Sequence, residues 1–100
     1  MKTMISGLNK IFDSRIRLGI MAALSVNDAL DFNALKELLD ITDGNLASHL
    51  KTLEKNELVE VMKQFVGRKP NTAYSITQTG KDIFQQHLNA LEKFINPLQT

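Results

Sequence analysis

Met4, Ile5, Leu8, Ile11 and Phe12 fall at i, i+1, i+4, i+7 and i+8, the spacing of one helix face, and a second periodic run, Ile16, Leu18, Ile20, Met21, Ala23 and Leu24, begins after Asp13 and Ser14. The pattern predicts two opening helices. Asp13 or Ser14 is placed to cap the second, because a side-chain oxygen there accepts a hydrogen bond from a free N–H of the first turn. Ser25 to Asp28 reads as a loop and Ala29 to Phe32 as a short extended piece. Asn33 is then the cap candidate, with Glu37 four residues on, for a short helix that carries Leu35, Leu38 and Leu39 and ends near Asp40. Ile41 to Lys55 opens with capping residues and sets Leu46, Leu50 and Leu53 on one stripe, so another helix follows after about three residues. Leu58 to Phe65 and Ala73 to Thr77 are rich in strand formers and predict a hairpin with Val66 to Thr72 as its loop. Thr77 to Gly80 introduces a last helix, whose apolar members Ile83, Phe84, Leu88, Ala90, Leu91, Phe94 and Ile95 stop before Pro97.

This order, helix, helix, short strand, helix, turn, helix, strand, strand, helix, is that of a winged helix-turn-helix, a mainly α fold with a small β-hairpin (α+β). Residues 1–13 and 79–98 are additional terminal helices on it. One hundred residues hold one core, so residues 1–100 are expected to form a single domain. With 43% hydrophobic and 23% charged residues the chain is neither polar enough for disorder nor apolar enough for a membrane protein. No apolar run approaches the ~18 residues that span a bilayer, and the first residues lack the apolar stretch of a secretory signal, so a cytoplasmic location without a membrane partner is expected. Zero cysteines exclude disulfides, thiolate metal sites and cysteine nucleophiles.

The net charge of +1 conceals a division along the chain. From Asp28 to Glu60 there are eight acidic residues against Lys36, Lys51 and Lys55, whereas Lys63, Arg68, Lys69 and Lys81 share the stretch from Val61 to Lys81 with no acid. That asymmetry points to a polyanionic partner for the hairpin. At about 100° per residue, with Leu46 at zero, Asn45, Ser48, Lys51, Thr52 and Lys55 fall roughly between 140° and 260°, opposite the leucine stripe, with Glu54 on the flank. Such a face suits the major groove of double-stranded DNA. Asn45 pairs with an adenine edge, Ser48 and Thr52 donate to phosphates or bases, Lys51 and Lys55 read guanine or displace counterions, and the free N–H groups near Gly44 meet a phosphate. Arg68 and Lys69 at the hairpin tip reach phosphates or the minor groove beside that helix. The competing readings are a merely solvated helix face and a hairpin edge kept soluble by its charges.

Asp43-Gly44-Asn45-Leu46-Ala47-Ser48-His49-Leu50 with Leu53-Glu54, then Val66-Gly67-Arg68-Lys69-Pro70 and Tyr74-Ser75-Ile76-Thr77 with Gly80, resembles the compact winged-helix transcriptional regulators related to the MarR-like and ArsR-like families. The likeness covers roughly Ser14 to Gly80. It implies that Asp43 to Lys55 is the recognition helix, that the hairpin around Arg68 is the wing, and that the protein dimerises through terminal helices and regulates transcription, usually by repression. These families usually place Gly after the recognition helix; here Glu57 follows Asn56, and a left-handed Glu57 would cost about 1 kcal/mol relative to Gly, unless Asn56 takes that conformation instead.

The last helix spreads its apolar residues over roughly 160°, wider than the ~100° one core requires, and the first segment has the same excess. A homodimer joined through Met4, Ile5, Leu8, Ile11, Phe12, Phe84, His87, Leu88, Leu91, Phe94 and Ile95 would bury both ends and set two recognition helices about 34 Å apart over a pseudo-palindromic operator. The alternative is a long helix packed back on its own chain. His49 is expected as a satisfied structural histidine and His87 as an interface residue, since neither has ligands at metal-site spacing. No catalytic constellation, metal site or cofactor is expected, so the chain does not read as an enzyme. Arg15 and Arg17 receive no site. Two other functional readings stand beside the regulator: a protein-interaction module of a larger complex that does not bind DNA, and a switch that answers to an unidentified small-molecule effector at the dimer interface.

Overall fold

The computed structural model describes residues 7–96. Helix α1 spans Arg15–Ser25, strand β1 Leu30–Asp31, α2 Phe32–Leu39, α3 Asp43–Lys55, β2 Val59–Val66, β3 Lys69–Ile76 and α4 Gln78–Ile95. From α1 onward the expected order holds, and so does the α+β class.

The helices start where their caps put them. Ser14 Oγ accepts the Arg17 N–H at 3.2 Å, Thr42 Oγ1 the Asn45 N–H at 3.2 Å and Thr77 Oγ1 the Gly80 N–H at 2.9 Å. For α2 the cap is Asp31, whose Oδ1 accepts the Ala34 N–H at 2.7 Å, and Asn33 lies inside the first turn. The sequence reading of Asn33 is therefore corrected: Asp31 closes β1 in an extended conformation that aims its carboxylate at the positive end of the helix. α2 stops where Asp40 turns left-handed, at φ 52°, and residues 40–42 make the tight joint to α3.

Ile20, Met21 and Leu24 of α1, Leu35 of α2, Leu46, Leu50 and Leu53 of α3, Leu58 and Val59 at the start of β2, and Phe84 of α4 form one buried cluster. The sheet is antiparallel in the order β1-β3-β2. β2 and β3 pair from Val59↔Ile76 out to Val66↔Lys69, so only Gly67 and Arg68 are left in the turn. The seven-residue loop expected over Val66 to Thr72 is thus mostly strand. Gly67 has φ +66°, the first central position of a tight hairpin turn that glycine fills without strain. In a two-residue hairpin the closing pair is hydrogen-bonded, so Pro70, one position on, turns its missing N–H away from β2; β1 pairs only with Tyr74 and Ala73 and does not reach it.

α4 docks by its first half. A Cβ on Gly80 would lie 2.1 Å from the Leu58 carbonyl oxygen, so only glycine allows this approach. Beside it the Thr77 N–H donates to Leu58 O and the Thr77 hydroxyl to Glu57 O, fixing the start of α4 to the end of α3. Toward the chain start the described residues show a short 3-10 turn, Lys10–Phe12, in place of the expected helix; Met4 and Ile5 lie outside the described residues. Phe12 is buried, packing edge-on against Phe84 at 5.3 Å and tilted against the His87 ring at 4.8 Å.

Candidate nucleic-acid interface

The outward face of α3 is open. Gly44, Asn45, Ser48, Lys51 and Lys55 are exposed, and Thr52 is half-buried. The Thr52 hydroxyl donates to the Ser48 carbonyl at 3.2 Å, which leaves its lone pairs for an outside donor. Thr42 takes the Asn45 N–H, so the open first turn is left with the N–H groups of Asp43 and Gly44. Nothing lies within 4 Å of a Cβ built on Gly44, so packing does not require glycine there; its bare backbone keeps the helix end approachable. Asp43, the acid nearest this end, pairs with Lys36 Nζ at 2.7 Å. The pair is solvent-exposed and adds little stability, but it moderates the negative charge that Asp43 brings to the helix start. One shallow groove between α1, α2 and α3 is lined by two cations, Arg15 and Lys36, two acids, Asp40 and Asp43, and by Thr42, Gly44 and Asn45. The sequence alone gives Arg15 no site, since a surface ion pair with Asp13 would be worth little, and nothing in it singles out Lys36.

The flank of α3 is held from behind by Arg17. Its Nε donates to Ile11 O at 2.6 Å, and its Nη1 lies 3.1 Å from His49 Nδ1, joining α1, the segment before it and the middle of α3. His49 is thereby a satisfied structural histidine, as its place on the stripe suggested. Arg17 was left without a role because its partner is 32 residues away and no local spacing announces it. At the end of α3, burial and then the Glu54 carboxylate push the Tyr74 phenol above the ordinary tyrosine value, so it stays neutral beside the base of the hairpin.

Arg68 stands in the turn of the hairpin and Lys69 at the first position of β3, paired with Val66; both are exposed, as is Lys63. The cationic tip is therefore real but smaller than the expected loop, and Lys69 belongs to the ribbon rather than to its turn.

The expected dimer surface divides in two. Phe12, Phe84 and His87 are covered within the chain, and His87 Nδ1 accepts the Asn9 N–H at 3.1 Å, so these three are removed from the free surface and His87 is a structural residue. Leu8 and Ile11 are half-buried. Leu88, Leu91, Phe94 and Ile95, on the distal half of α4, remain exposed. No described helix is long and apolar enough to cross a membrane.

Residues 16–95 match the family described as winged helix DNA-binding domain. The chain is 40% identical over 79 residues, 79% of its length, to an uncharacterized protein of Methanocaldococcus jannaschii, 86% of which is covered. It is similar to the solved structure of a transcriptional regulator homologue from Pyrococcus horikoshii OT3, with 34% identity and a TM-score of 0.76 over 91% of this chain and 95% of that one. The fold also matches the YusO protein from Bacillus subtilis, with a TM-score of 0.81 at 17% identity over 96% of this chain and 67% of that one.

Proposed function

The chain belongs to the winged helix DNA-binding domain family, and on that premise we propose that it is a sequence-specific regulator of transcription, a repressor that acts as a homodimer on a pseudo-palindromic operator in duplex DNA. The observation that carries this reading is the outer face of α3, where Asn45, Ser48, Lys51 and Lys55 are exposed together with no acid among them, backed by a buried leucine stripe. Its side chains read base edges in the major groove, while Arg68 and Lys69 on the wing hold the phosphates alongside. Arg15, at the groove beside the start of α3, adds a backbone contact that fixes the register, whereas Lys36 is already paired with Asp43. Repression, rather than activation, is what the resemblance to the compact winged-helix regulators implies.

The dimer reading is supported by the distal half of α4, where Leu88, Leu91, Phe94 and Ile95 recur at i, i+3, i+6 and i+7 and are exposed. Replacing Leu91 and Phe94 by Glu should leave a folded monomer in sedimentation and abolish cooperative binding to a two-half-site duplex. Unchanged mass would end the assignment of this face.

The test of the function itself is retardation of random-sequence duplex at low salt, followed by selection of bound fragments. Binding that weakens steeply with salt and enriches a two-fold symmetric site is expected. No retardation at low salt would leave the protein-interaction module as the reading to pursue.

A further inference from the structure

Beyond the register where β1 pairs with Ala73, the hairpin continues for four more paired positions, about 13 Å, as a two-stranded ribbon in which residues 63–66 and 69–70 are exposed and Asn71 and Thr72 half-buried. Along this ribbon Lys63, Phe65, Thr72 and Pro70 share the face that carries Val59, Tyr74 and Ile76 into the core, one step further out than the core extends. Phe65 is 74% exposed and faces Pro70 across the strands, while Val66, on the opposite face, is 61% exposed. A phenylalanine left in water at the tip of a ribbon is unfavourable in the free chain and contributes nothing to its core. The charge around it favours a polyanion as its cover: Lys63, Arg68 and Lys69 lie within four positions along the ribbon, no acid occurs from Val61 to Lys81, and Asp31 reaches the ribbon at Asn71, inward of the tip. Apolar side chains point to both sides of the tip, which fits entry between two walls better than docking on one flat surface.

We propose that Phe65 is an apolar contact of the wing with the minor groove of duplex DNA, seated against its sugar walls while Arg68 and Lys69 hold the flanking phosphates. This deepens the DNA-binding reading above and rests on it. The wing then has two separable parts, a cationic one that weakens with salt and an apolar one that does not.

The test is fluorescence anisotropy of a labelled random-sequence duplex with the full chain, titrated at several salt concentrations, for the wild type, Phe65→Ala, Phe65→Leu and the Arg68→Ala/Lys69→Ala pair. Phe65→Ala is expected to lose roughly 10-fold in affinity at every salt concentration with an unchanged salt slope, and Phe65→Leu to recover most of it. The paired variant is expected to lower the slope instead. Because Phe65 is exposed, thermal melting of Phe65→Ala should coincide with the wild type, which separates a lost contact from a lost fold. Binding by Phe65→Ala equal to the wild type would overturn the apolar contact while leaving DNA binding in place. A loss accompanied by a lower slope would also overturn it, as would an unchanged affinity with altered sedimentation, which would give the face to a second copy of the chain. Failure of the wild type to bind at low salt would instead remove the DNA-binding reading itself.

Discussion

The proposed recognition helix, α3, and the wing are neighbours in the chain and are held in opposite ways. α3 is buried along Leu46, Leu50 and Leu53, capped by Thr42 at its start, tied by His49 to Arg17 on its flank and gripped at its end by the Thr77 hydroxyl on Glu57 O. The wing past Ala73 has no third strand and is touched at its base only where the Asn71 amide donates to Asp31 Oδ2 at 3.4 Å; Gly67 closes its turn and the ladder is its main support. The difference matches what the proposed DNA-binding role asks of each element. Reading base edges requires side chains placed to within about 0.5 Å, which a helix fixed on several sides supplies. Phosphates and sugar walls repeat along any sequence, and a ribbon with freedom to adjust can follow them.

Breaking the fixed element should have the largest effect. Leu46→Ala removes a fully buried side chain at the centre of the core and should lower unfolding stability by about 3 kcal/mol in denaturant titration, with specific and non-specific DNA binding both lost as the folded fraction falls. An effect under 1 kcal/mol would mean that α3 is not anchored by this stripe. The wing should answer differently. Arg68→Ala/Lys69→Ala should leave the unfolding midpoint in place, because both residues are exposed, while weakening binding to all sequences about 10-fold between 50 and 200 mM salt and lowering the salt slope by up to two counterions. An unchanged slope would remove the wing from the interface.

The same contrast decides how much was legible in the sequence. The leucine stripe of α3, a cap at Asp13 or Ser14 and the element order from α1 onward are local signals, and local spacing is enough to find them. Lys69 to Thr72 was read as loop because a ribbon wet on both faces carries no apolar alternation to mark it as strand. Periodicity counted Phe84, His87 and Leu88 on one apolar arc of the last helix, but it does not say which turns have cover; the segment carrying Phe12 covers the first two and leaves Leu88 exposed. Asp31 was missed as a cap because its role depends on β1 delivering it in an extended conformation, and β1 exists only by pairing with β3, more than 40 residues later. The role of Arg17 is hidden for the same reason of distance, although His49, its partner, is expected as a structural histidine.

Glu57 is where local rule and observed backbone disagree, and it offers the smallest and most specific test of how firmly the end of α3 is held. The Leu58 N–H donates to Leu53 O at 3.0 Å and the Glu57 N–H to Glu54 O at 3.0 Å, the paired bonds that close a helix when the residue between them turns left-handed. Glu57 makes that turn at φ 62°, whereas Asn56 stays at φ −90°. The buried pair Leu53 and Leu58 and the Thr77 hydroxyl on Glu57 O hold the geometry against the preference of a residue with a Cβ. Glu57→Gly removes that opposition and keeps every one of these bonds, since they use only backbone atoms of residue 57. It should raise unfolding stability by about 1 kcal/mol at an unchanged denaturant slope, reduced in part by the greater freedom of glycine in the unfolded chain, and Glu57→Ala should gain nothing. DNA affinity should move little in either variant, because residue 57 lies past the last turn of α3. A loss of stability in Glu57→Gly would show that the glutamate side chain, and not the turn it occupies, fastens the end of the helix.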